Sequence, residues 1–360
     1  MTLGIYIHVP FCLRKCPYCD FYSVPYNPVN AERYVQAVMR NIRHYSRTAT
    51  VDTLYFGGGT PSLLTPFQVG NIIQSVKFSF KLADDAEITL EVNPAAVTAE
   101  SLAEYRRFGI NRLSVGIQSL IDSELQTLGR LHTAENAVET VKNAVKSGFG
   151  NISCDLMIGL PNQKVDDVDY SIRKLAETPI THISAYILKI EENTAFGRAG
   201  VQLPDEDSVA DMYLEICSSL ERHSFKQYEI SNFAKIGYES RHNNKYWKYC
   251  DYLGIGPSAH SCFEGKRFAV DRDLRAFLAD SSQKVNITDE NPCSFEERAM
   301  LKLRLSEGFP IEECGDKKDE ILQKIPRLVN EGYVTFEGGI IALTKKGFVM
   351  SNSIIGHLIF

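Results

Sequence analysis

The fold of this 360-residue chain is decided by the stretch Tyr6-Ile-His-Val-Pro-Phe-Cys12-Leu-Arg-Lys-Cys16-Pro-Tyr-Cys19-Asp-Phe21. Its three cysteines, at C-x3-C-x2-C spacing, lie on a loop that follows a short strand of alternating apolar residues, Leu3 to His8. Two prolines interrupt this loop, and proline cannot donate a helical hydrogen bond. We therefore expect an irregular loop whose three sulfurs converge on one centre.

Soft thiolates at this close spacing select an iron–sulfur cluster, zinc or Cu(I). Three cysteines are one too few for a closed structural zinc site and for an ordinary cysteine-held [4Fe-4S] cluster, since both take four ligands. An odd trio at such short spacing cannot pair off as disulfides. Three ligands suit a cubane cluster with one iron left open to an exogenous ligand. Scattered structural cysteines are the alternative, which the preceding strand and the later glycine loop disfavour.

Composition is that of an ordinary soluble globular protein, with 44% hydrophobic and 23% charged residues. Length predicts about two domains. The net charge of −6 and a pI near 5.8 argue against non-specific nucleic-acid binding. No apolar run reaches the roughly 18 residues of a membrane span, and the N-terminus has no signal-peptide pattern. Nine cysteines without a secretion signal predict a reducing cytosol. Six of these cysteines show no metal spacing and are interpreted as buried or incidental: Cys154, Cys217, Cys250, Cys262, Cys293 and Cys314.

Strands and helices alternate over the first two thirds of the chain. Strands are predicted at 51–56, 88–92, 112–116, 152–157, 183–188 and 228–230, and helices at 30–43, 66–78, 98–109, 134–147 and 206–222. The segment Thr65-Pro-Phe-Gln68 has the pattern of a capping box with proline at the first helical position. About six such βα units predict a parallel sheet covered by helices.

Polar residues recur at or near the carboxyl ends of the predicted strands, where barrel enzymes of this kind carry their functional loops. They are the cysteine loop, Gly57–Thr60, Glu91, Gly116–Gln118 and Asp155. A doubly wound sheet would also place ligands at this edge, so the pattern favours a site more strongly than it favours a barrel.

Each of these residues has a plausible function and an ordinary alternative. The triple glycine at 57–59 exposes backbone groups that can receive an amino group, although such a segment is more often a turn. Glu91 can accept hydrogen bonds from ribose hydroxyls, or be a charged residue at a strand end. Gln118 and Asp155 offer amide and acceptor groups. Arg130 can bind a carboxylate through two hydrogen bonds, or be a surface arginine.

Taken together, these motifs resemble the radical S-adenosylmethionine (SAM) family that contains oxygen-independent coproporphyrinogen III oxidase and its relatives. The resemblance rests on Tyr6, the three cysteines with Tyr18 before the last, Gly57-Gly-Gly-Thr-Pro61, Glu91-Val-Asn-Pro94, Gly116-Ile-Gln-Ser119, Arg130 and Asp155-Leu-Met-Ile-Gly-Leu-Pro161. It implies an α/β fold, a partial (β/α)6 TIM-like barrel, in which Cys12, Cys16 and Cys19 hold a [4Fe-4S] cluster. It also implies that SAM binds the fourth iron, contacted by Tyr6, Tyr18, Gly58, Gly59, Thr60, Glu91, Gln118, Arg130 and Asp155.

Three features separate two branches of this family. The oxidase branch has a fourth cysteine where this chain has Phe21. That branch also carries an N-terminal extension before its cluster loop, which we do not expect in this protein. The segment His242-Asn-Asn-Lys-Tyr-Trp247 resembles the H-N-x-x-Y-W signature of the haem chaperones of the HemW type. Haem suits these residue types, because imidazole ligates haem iron and aromatic rings cover a porphyrin. His242 is the predicted haem ligand, with His8 and His260 as competitors. The alternative is that Trp247 belongs to the core and that His242 is a local capping residue.

The pattern changes after about Ile236. Residues 1–235 are predicted to form the radical SAM barrel and 236–293 a connecting segment that carries the His242–Trp247 motif. Residues 294–360 are predicted as a small C-terminal winged-helix-like α+β domain, with helices at 296–305 and 318–331 and a hairpin at 333–343. Winged helices usually bind DNA, but this region has no dense basic stripe, which favours a lid or a partner-docking role.

The resemblance implies a cytoplasmic haem chaperone that carries a [4Fe-4S] cluster, SAM and haem. Its expected partners are haem and apo-haemoproteins such as respiratory-chain enzymes, with peripheral membrane association through those partners and no nucleic acid. Two alternatives stay open: an oxygen-independent coproporphyrinogen III oxidase, which Phe21 disfavours, and a radical SAM enzyme with another substrate.

Overall fold

The computed structural model describes residues 2–360. The strands are β1 Leu3–Val9, β2 Phe11–Cys12, β3 Val24–Pro25, β4 Thr50–Gly58, β5 Lys81–Val92, β6 Arg112–Gln118, β7 Ile152–Ile158, β8 His182–Ile187, β9 Lys226–Gln227, β10 Asn232–Ala234, β11 Tyr252–Ile255, β12 His260–Phe263, β13 Lys266–Val270, β14 Val285–Asp289, β15 Phe309–Pro310, β16 Val334–Glu337 and β17 Ile340–Leu343. The helices are α1 Pro28–His44, α2 Pro66–Ser79, α3 Ala99–Phe108, α4 Asp122–Thr127, α5 Ala134–Lys146, α6 Val165–Ala176, α7 Ala195–Ala199, α8 Glu206–Arg222, α9 Arg241–Trp247, α10 Leu274–Ala279, α11 Phe295–Lys302, α12 Lys318–Asn330, α13 Lys345–Val349 and α14 Ser351–Ile359.

The strand before the cysteine loop, β1, lies in the middle of the main sheet. The order of that sheet is β14-β13-β12-β11-β1-β4-β5-β6-β7-β8-β10-β9. Strands β1 and β4 to β8 run parallel to one another, as the alternating pattern predicts for repeated βα units. The two ends of the sheet do not pair with each other, so the barrel is partial, and the α/β fold class is confirmed.

Local sequence signals set the boundaries of the helices that cover this sheet. Thr65 and Gln68 form the predicted capping box at the start of α2, with Pro66 as its first residue. Thr98 caps α3 in the same way, and Gly109 ends that helix in the left-handed region. The helix predicted at 206–222 is α8 with the same bounds. These elements are confirmed.

Strand register brings the predicted polar residues side by side. Glu91 on β5 pairs with Ser114 on β6, and Asp155 on β7 pairs with Gly116 on one side and Ser184 on the other. Because neighbouring strands lie about 4.8 Å apart, these positions belong to one small area of the sheet.

The segment 236–293, predicted as a connecting segment, contains regular helices and strands. It supplies α9 and α10 and adds β11 to β14 to the main sheet, with β11 parallel to β1 and the rest antiparallel. Two glycines allow these strands to pack, because the backbone of another segment lies against each of them. A side chain at Gly254 would meet the His260 carbonyl oxygen at 2.3 Å, and one at Gly256, whose φ is +112°, would meet that of His8 at 2.5 Å.

The short strand predicted at 228–230 is wrong. Those residues form a turn between β9 and β10, and Glu229 makes an isolated antiparallel bridge with Leu305 instead of joining a ladder. The reason is the Glu229–Asn232 side-chain hydrogen bond, which favours a turn over an extended strand.

The C-terminal residues carry their own small sheet. Strands β15, β17 and β16 form it in that order, all antiparallel, with α11 and α12 before the β16–β17 hairpin, as a winged-helix-like module requires. The boundaries at 235 and 293 stay a prediction. Within residues 2–360, no helix is both long enough and apolar enough to cross a membrane.

Candidate functional site

A cavity of about 350 Å³ opens at the carboxyl ends of the parallel strands. Except for Tyr6 and His242, all of the predicted site residues line it: Cys12, Cys16, Tyr18, Cys19, Gly58, Gly59, Thr60, Glu91, Gln118, Arg130 and Asp155. These residues come from six separate parts of the chain, so the fold gathers into one place what the sequence shows only as scattered motifs. We call this space the cluster cavity.

The cysteine loop is fixed by backbone hydrogen bonds at both ends. The amide of Val24 donates to the Pro10 carbonyl at 2.7 Å, and that of Tyr26 donates to the Cys12 carbonyl at 2.9 Å, which closes the loop through the β2–β3 pair. The amide of Cys19 donates to the Cys16 carbonyl at 3.1 Å, a tight turn between the last two cysteines. The loop is irregular, as its prolines predict.

The sulfur atoms lie among donors that suit thiolates. The Thr60 hydroxyl lies 3.6 Å from the Cys12 sulfur, and the Arg130 guanidinium lies 3.8 Å from that of Cys16. Within residues 2–360, no three His, Cys, Asp or Glu side chains are arranged around a single metal ion. Three thiolates with hydrogen-bond donors beside two of them are the kind of donor set that binds a soft metal or an iron–sulfur cluster.

Two half-buried carboxylates line the cavity from β5 and β7. Glu91 accepts hydrogen bonds from the Tyr55 hydroxyl at 3.0 Å and from the Gly58 amide at 3.2 Å. Burial, followed by repulsion from Asp155, raises the pKa of Glu91 to about 8. Burial also raises the pKa of Asp155, although the Ser114 hydroxyl donates to it. Such a pair favours a ligand that brings hydrogen-bond donors.

Gln118 and Arg130 meet at the end of β6. Gln118 has a φ of +70°, which is uncommon for a residue other than glycine and occurs often at functional sites. Arg130 donates to the Gly116 carbonyl at 2.6 Å, and its Nε is buried without a partner among the described residues. An unpaired buried guanidinium donor beside the cysteines is suited to an incoming carboxylate.

Several lining residues were not predicted from sequence: Tyr55, Arg112, Ser114, Ser184, Tyr186 and Asn243. Arg112 is the most informative of them, since it is only 1% exposed and is the first residue of β6. A charged residue within a strand predicted to be covered on both faces was the signal that could have found it.

A second cavity, of about 420 Å³, adjoins the first. It is lined by Tyr6, His8, Asp20, Phe21, Tyr22, Tyr246, Tyr252, Ser258, His260 and Arg272. Phe21 lines both cavities and is 66% exposed. The structure thus places Tyr6 on this second space, which we call the aromatic cavity, and not among the residues that line the cluster cavity.

His242 lines neither cavity. It is 1% exposed, its Nδ1 lies 2.8 Å from the Thr53 hydroxyl and its Nε2 lies 2.8 Å from that of Tyr246. Burial, helped by nearby Lys245, lowers the pKa of His242 to about 3, so the ring is neutral. Both ring nitrogens are engaged, and neither is free to bind an iron in this conformation.

Two regions of the chain match known domain families. Residues 6–175 match the radical SAM superfamily, and residues 294–350 match the HemN C-terminal domain. The heme chaperone HemW of Escherichia coli (strain K12) is 35% identical over 370 residues, which cover 98% of this chain and 97% of that protein. The HemW protein of Haemophilus influenzae is 32% identical, with 98% and 97% coverage.

The fold is also that of a solved structure. Coproporphyrinogen III oxidase (HemN) from Escherichia coli, a radical SAM enzyme, matches with a TM-score of 0.83 over 99% of this chain and 90% of its own. Sequence identity to it is 21%, so this likeness shows the fold alone.

Proposed function

This chain belongs to the radical SAM family of the heme chaperone HemW, and on that premise we propose that it binds haem and delivers it to apo-haemoproteins. The observation that carries the proposal is the near-full-length similarity to HemW, 35% identity over 98% of the chain. The aromatic cavity supports it, because tyrosine and histidine side chains beside an arginine suit a flat porphyrin with carboxylate side groups.

The family implies a [4Fe-4S] cluster and SAM, and the cluster cavity fits both. Cys12, Cys16 and Cys19 would hold three irons and leave the fourth to SAM. When bound, the cluster supplies an electron to SAM. Thr60 and Arg130 direct hydrogen-bond donors at the sulfurs, which stabilises the thiolate form.

The remaining residues of the cluster cavity suit the organic part of SAM. Glu91 and Asp155 can accept hydrogen bonds from ribose hydroxyls. Arg130 can bind the carboxylate through its unpaired Nε. Gly58 and Gly59 line the same cavity, and packing requires glycine at both, since a side chain would meet the His8 ring at 2.8 Å from Gly58 and the Phe11 carbonyl oxygen at 2.7 Å from Gly59.

The proposal extends to the surroundings in which such a protein works. We expect it in the cytoplasm, where free thiols persist and can bind a cluster. Its recipients would be apo-haemoproteins such as respiratory-chain enzymes, and it would approach the membrane only through these partners.

Coproporphyrinogen III oxidation is the second candidate, since the fold of HemN matches at a TM-score of 0.83. Phe21 opposes it. That side chain stands where the oxidase branch carries a further cysteine, and it cannot ligate metal or transfer a proton.

One sample tests both functions. Protein reconstituted anaerobically with iron and sulfide is titrated with haem and, in parallel, incubated with coproporphyrinogen III, SAM and a reductant. We expect saturable haem binding, seen as a shifted Soret band, and no protoporphyrinogen IX. Transfer to an apo-haemoprotein is then followed by the recipient's own spectrum. Conversion of coproporphyrinogen without haem binding would establish the oxidase instead.

A further inference from the structure

We propose that haem binds in the aromatic cavity with His260 as its axial ligand, and that His242 positions Tyr246 instead of ligating iron. This inference rests on the proposed haem function and names the site and the residues that serve it. It differs from the assignment suggested by the His242–Trp247 sequence motif alone.

Three histidines compete for the ligand role, and hydrogen bonding separates them. His242 has both ring nitrogens engaged and is buried. His8 lies 3.3 Å from the Tyr6 hydroxyl through Nδ1 and 3.0 Å from the Tyr22 carbonyl through Nε2, so it too is fully engaged. A ligating histidine must present a free nitrogen lone pair to the metal. Neither residue can do so without breaking buried hydrogen bonds.

His260 is the remaining histidine, and its environment is different. It lines the aromatic cavity, is solvent-exposed, and its ring makes no hydrogen bond to any of the described residues 2–360. Its backbone is held firmly, because it pairs with Ala269 in the β12–β13 ladder and packs on Gly254. A fixed backbone with a free imidazole is the arrangement that an axial ligand needs.

The walls of the cavity suit the rest of the haem. Phe21, Tyr22, Tyr246 and Tyr252 give it aromatic sides, and the rings of Tyr246 and Tyr252 meet edge to face with centroids 4.5 Å apart. Arg272 supplies the positive charge, with one guanidinium nitrogen held 3.1 Å from the Asp20 carbonyl and the others free to bind carboxylates. A planar apolar ring with two propionates is complementary to this lining.

The role left to His242 is to hold Tyr246 in the wall. Thr53 fixes the ring from β4, and the backbone amide of His242 donates to Glu87 at 3.0 Å at the start of α9. The Tyr246 hydroxyl lies 2.8 Å from the other ring nitrogen of His242, Nε2, and completes this series of hydrogen bonds. His242 is thus a positioning residue that shapes the cavity from behind.

The side chain of Phe21 lies between the cluster cavity and the aromatic cavity. Its ring lines both, and it follows the last cluster cysteine by two positions. Haem in the aromatic cavity would therefore lie against the cluster loop, with an apolar side chain between the two ligands.

The test compares His260→Ala with His242→Ala in the full-length reconstituted protein, titrated with haem. We expect His260→Ala to shift the Soret band and weaken affinity at least about tenfold, as loss of a direct ligand should exceed the effect of an outer partner. Added imidazole should restore the wild-type spectrum in His260→Ala by entering the vacated position. We expect His242→Ala to keep the wild-type Soret position. His44→Ala, on the exposed end of α1, is the matched control.

A second variant tests the carboxylate contact. Wild-type protein should prefer haem to haem dimethyl ester, which lacks the two charges, and Arg272→Ala should lose that preference. The outcomes are distinguishable. No saturable haem binding by the wild type would overturn the proposed function itself. Normal haem binding with an unchanged Soret band in His260→Ala, or a change that imidazole does not reverse, would overturn this inference alone.

Discussion

At the scale of single residues, the three cluster cysteines have different surroundings. The sulfur of Cys12 lies next to the Thr60 hydroxyl, and that of Cys16 next to Arg130. Burial raises the pKa of Cys19. Metal binding must therefore overcome the free energy needed to deprotonate Cys19, because the thiolate and not the thiol is the ligand. The side chains of Thr60 and Arg130 thus supply donors at two sulfurs, while at Cys19 burial outweighs the backbone hydrogen bond from Phe21.

We predict that Cys12→Ala, Cys16→Ala and Cys19→Ala each lose the cluster, because each removes one of three protein ligands. Loss of even an outer partner lowers metal affinity roughly 10–100-fold, so loss of a ligand should cost more. Iron and sulfide are measured after anaerobic reconstitution. Cys250→Ala, which removes a cysteine far along the chain from the loop, should keep the wild-type content. Wild-type iron and sulfide in all three loop variants would show that these cysteines are not the ligands.

At the scale of elements, the turn between β9 and β10 joins the main sheet to the C-terminal module. The amide of Ile230 donates to the Arg304 carbonyl at 3.0 Å, and that of Ser306 donates to the Tyr228 carbonyl at 2.9 Å. Glu229, at the centre of this junction, is fully buried, and one of its carboxyl oxygens has no partner among residues 2–360. Burial raises its pKa from 4.5 to about 7, although Asn232 donates to it.

This pKa gives a pH dependence of stability. Between pH 4.5 and 7 the folded protein keeps the Glu229 proton while the unfolded chain loses it, so stability falls as pH rises through that window. The total effect is on the order of 3 kcal/mol. We predict that Glu229→Gln abolishes this pH dependence. The free energy of unfolding of the variant, relative to that of the wild type, should therefore increase by about 3 kcal/mol as the pH rises from 4.5 to 7. Denaturant unfolding at several pH values measures it.

Glu290→Gln, at an exposed position in the segment before α11, is the control and should follow the wild-type curve. A constant difference between Glu229→Gln and the wild type from pH 5 to 8 would mean that Glu229 is already ionised in the folded protein.

At the scale of the whole molecule, the charges of the C-terminal module are balanced. Residues 294–360 contain nine Lys or Arg and ten Asp or Glu. Six of the basic residues form ion pairs with carboxylates: Lys302, Lys317, Lys318, Lys324, Arg327 and Lys345. Lys345 pairs across the molecule with Glu221 on α8, at 2.6 Å. Such pairs leave little positive charge for phosphates.

We therefore predict that the winged-helix-like module does not make the protein a DNA-binding protein. A short duplex should show no mobility shift with the full-length protein at about 0.1 M salt, where surface charges are screened beyond roughly 10 Å. An established winged-helix repressor serves as the positive control. Binding whose affinity falls steeply with added salt would contradict this, because it would require several direct phosphate contacts.

Elements whose signals are local could be predicted from the amino-acid pattern. The capping box at Thr65, the helix predicted at 98–109 and the bounds of α8 depend on neighbouring residues, so pattern alone predicted them. The βα alternation predicted a parallel sheet for the same reason. The cysteine spacing predicted a shared centre because its ligands lie within eight residues.

Contacts between residues far apart in the chain depend on the folded arrangement and could not be predicted from local patterns. The place of β11 in the sheet could not be read from local patterns, because it pairs with β1 at the other end of the chain and depends on the close approach at Gly254. The same holds for His242. Its sequence motif suggested a ligand, but Thr53, 189 positions away, occupies one ring nitrogen, and only the packing of α9 on β4 reveals it. An imidazole's role depends on which of its nitrogens is free, and the fold sets that.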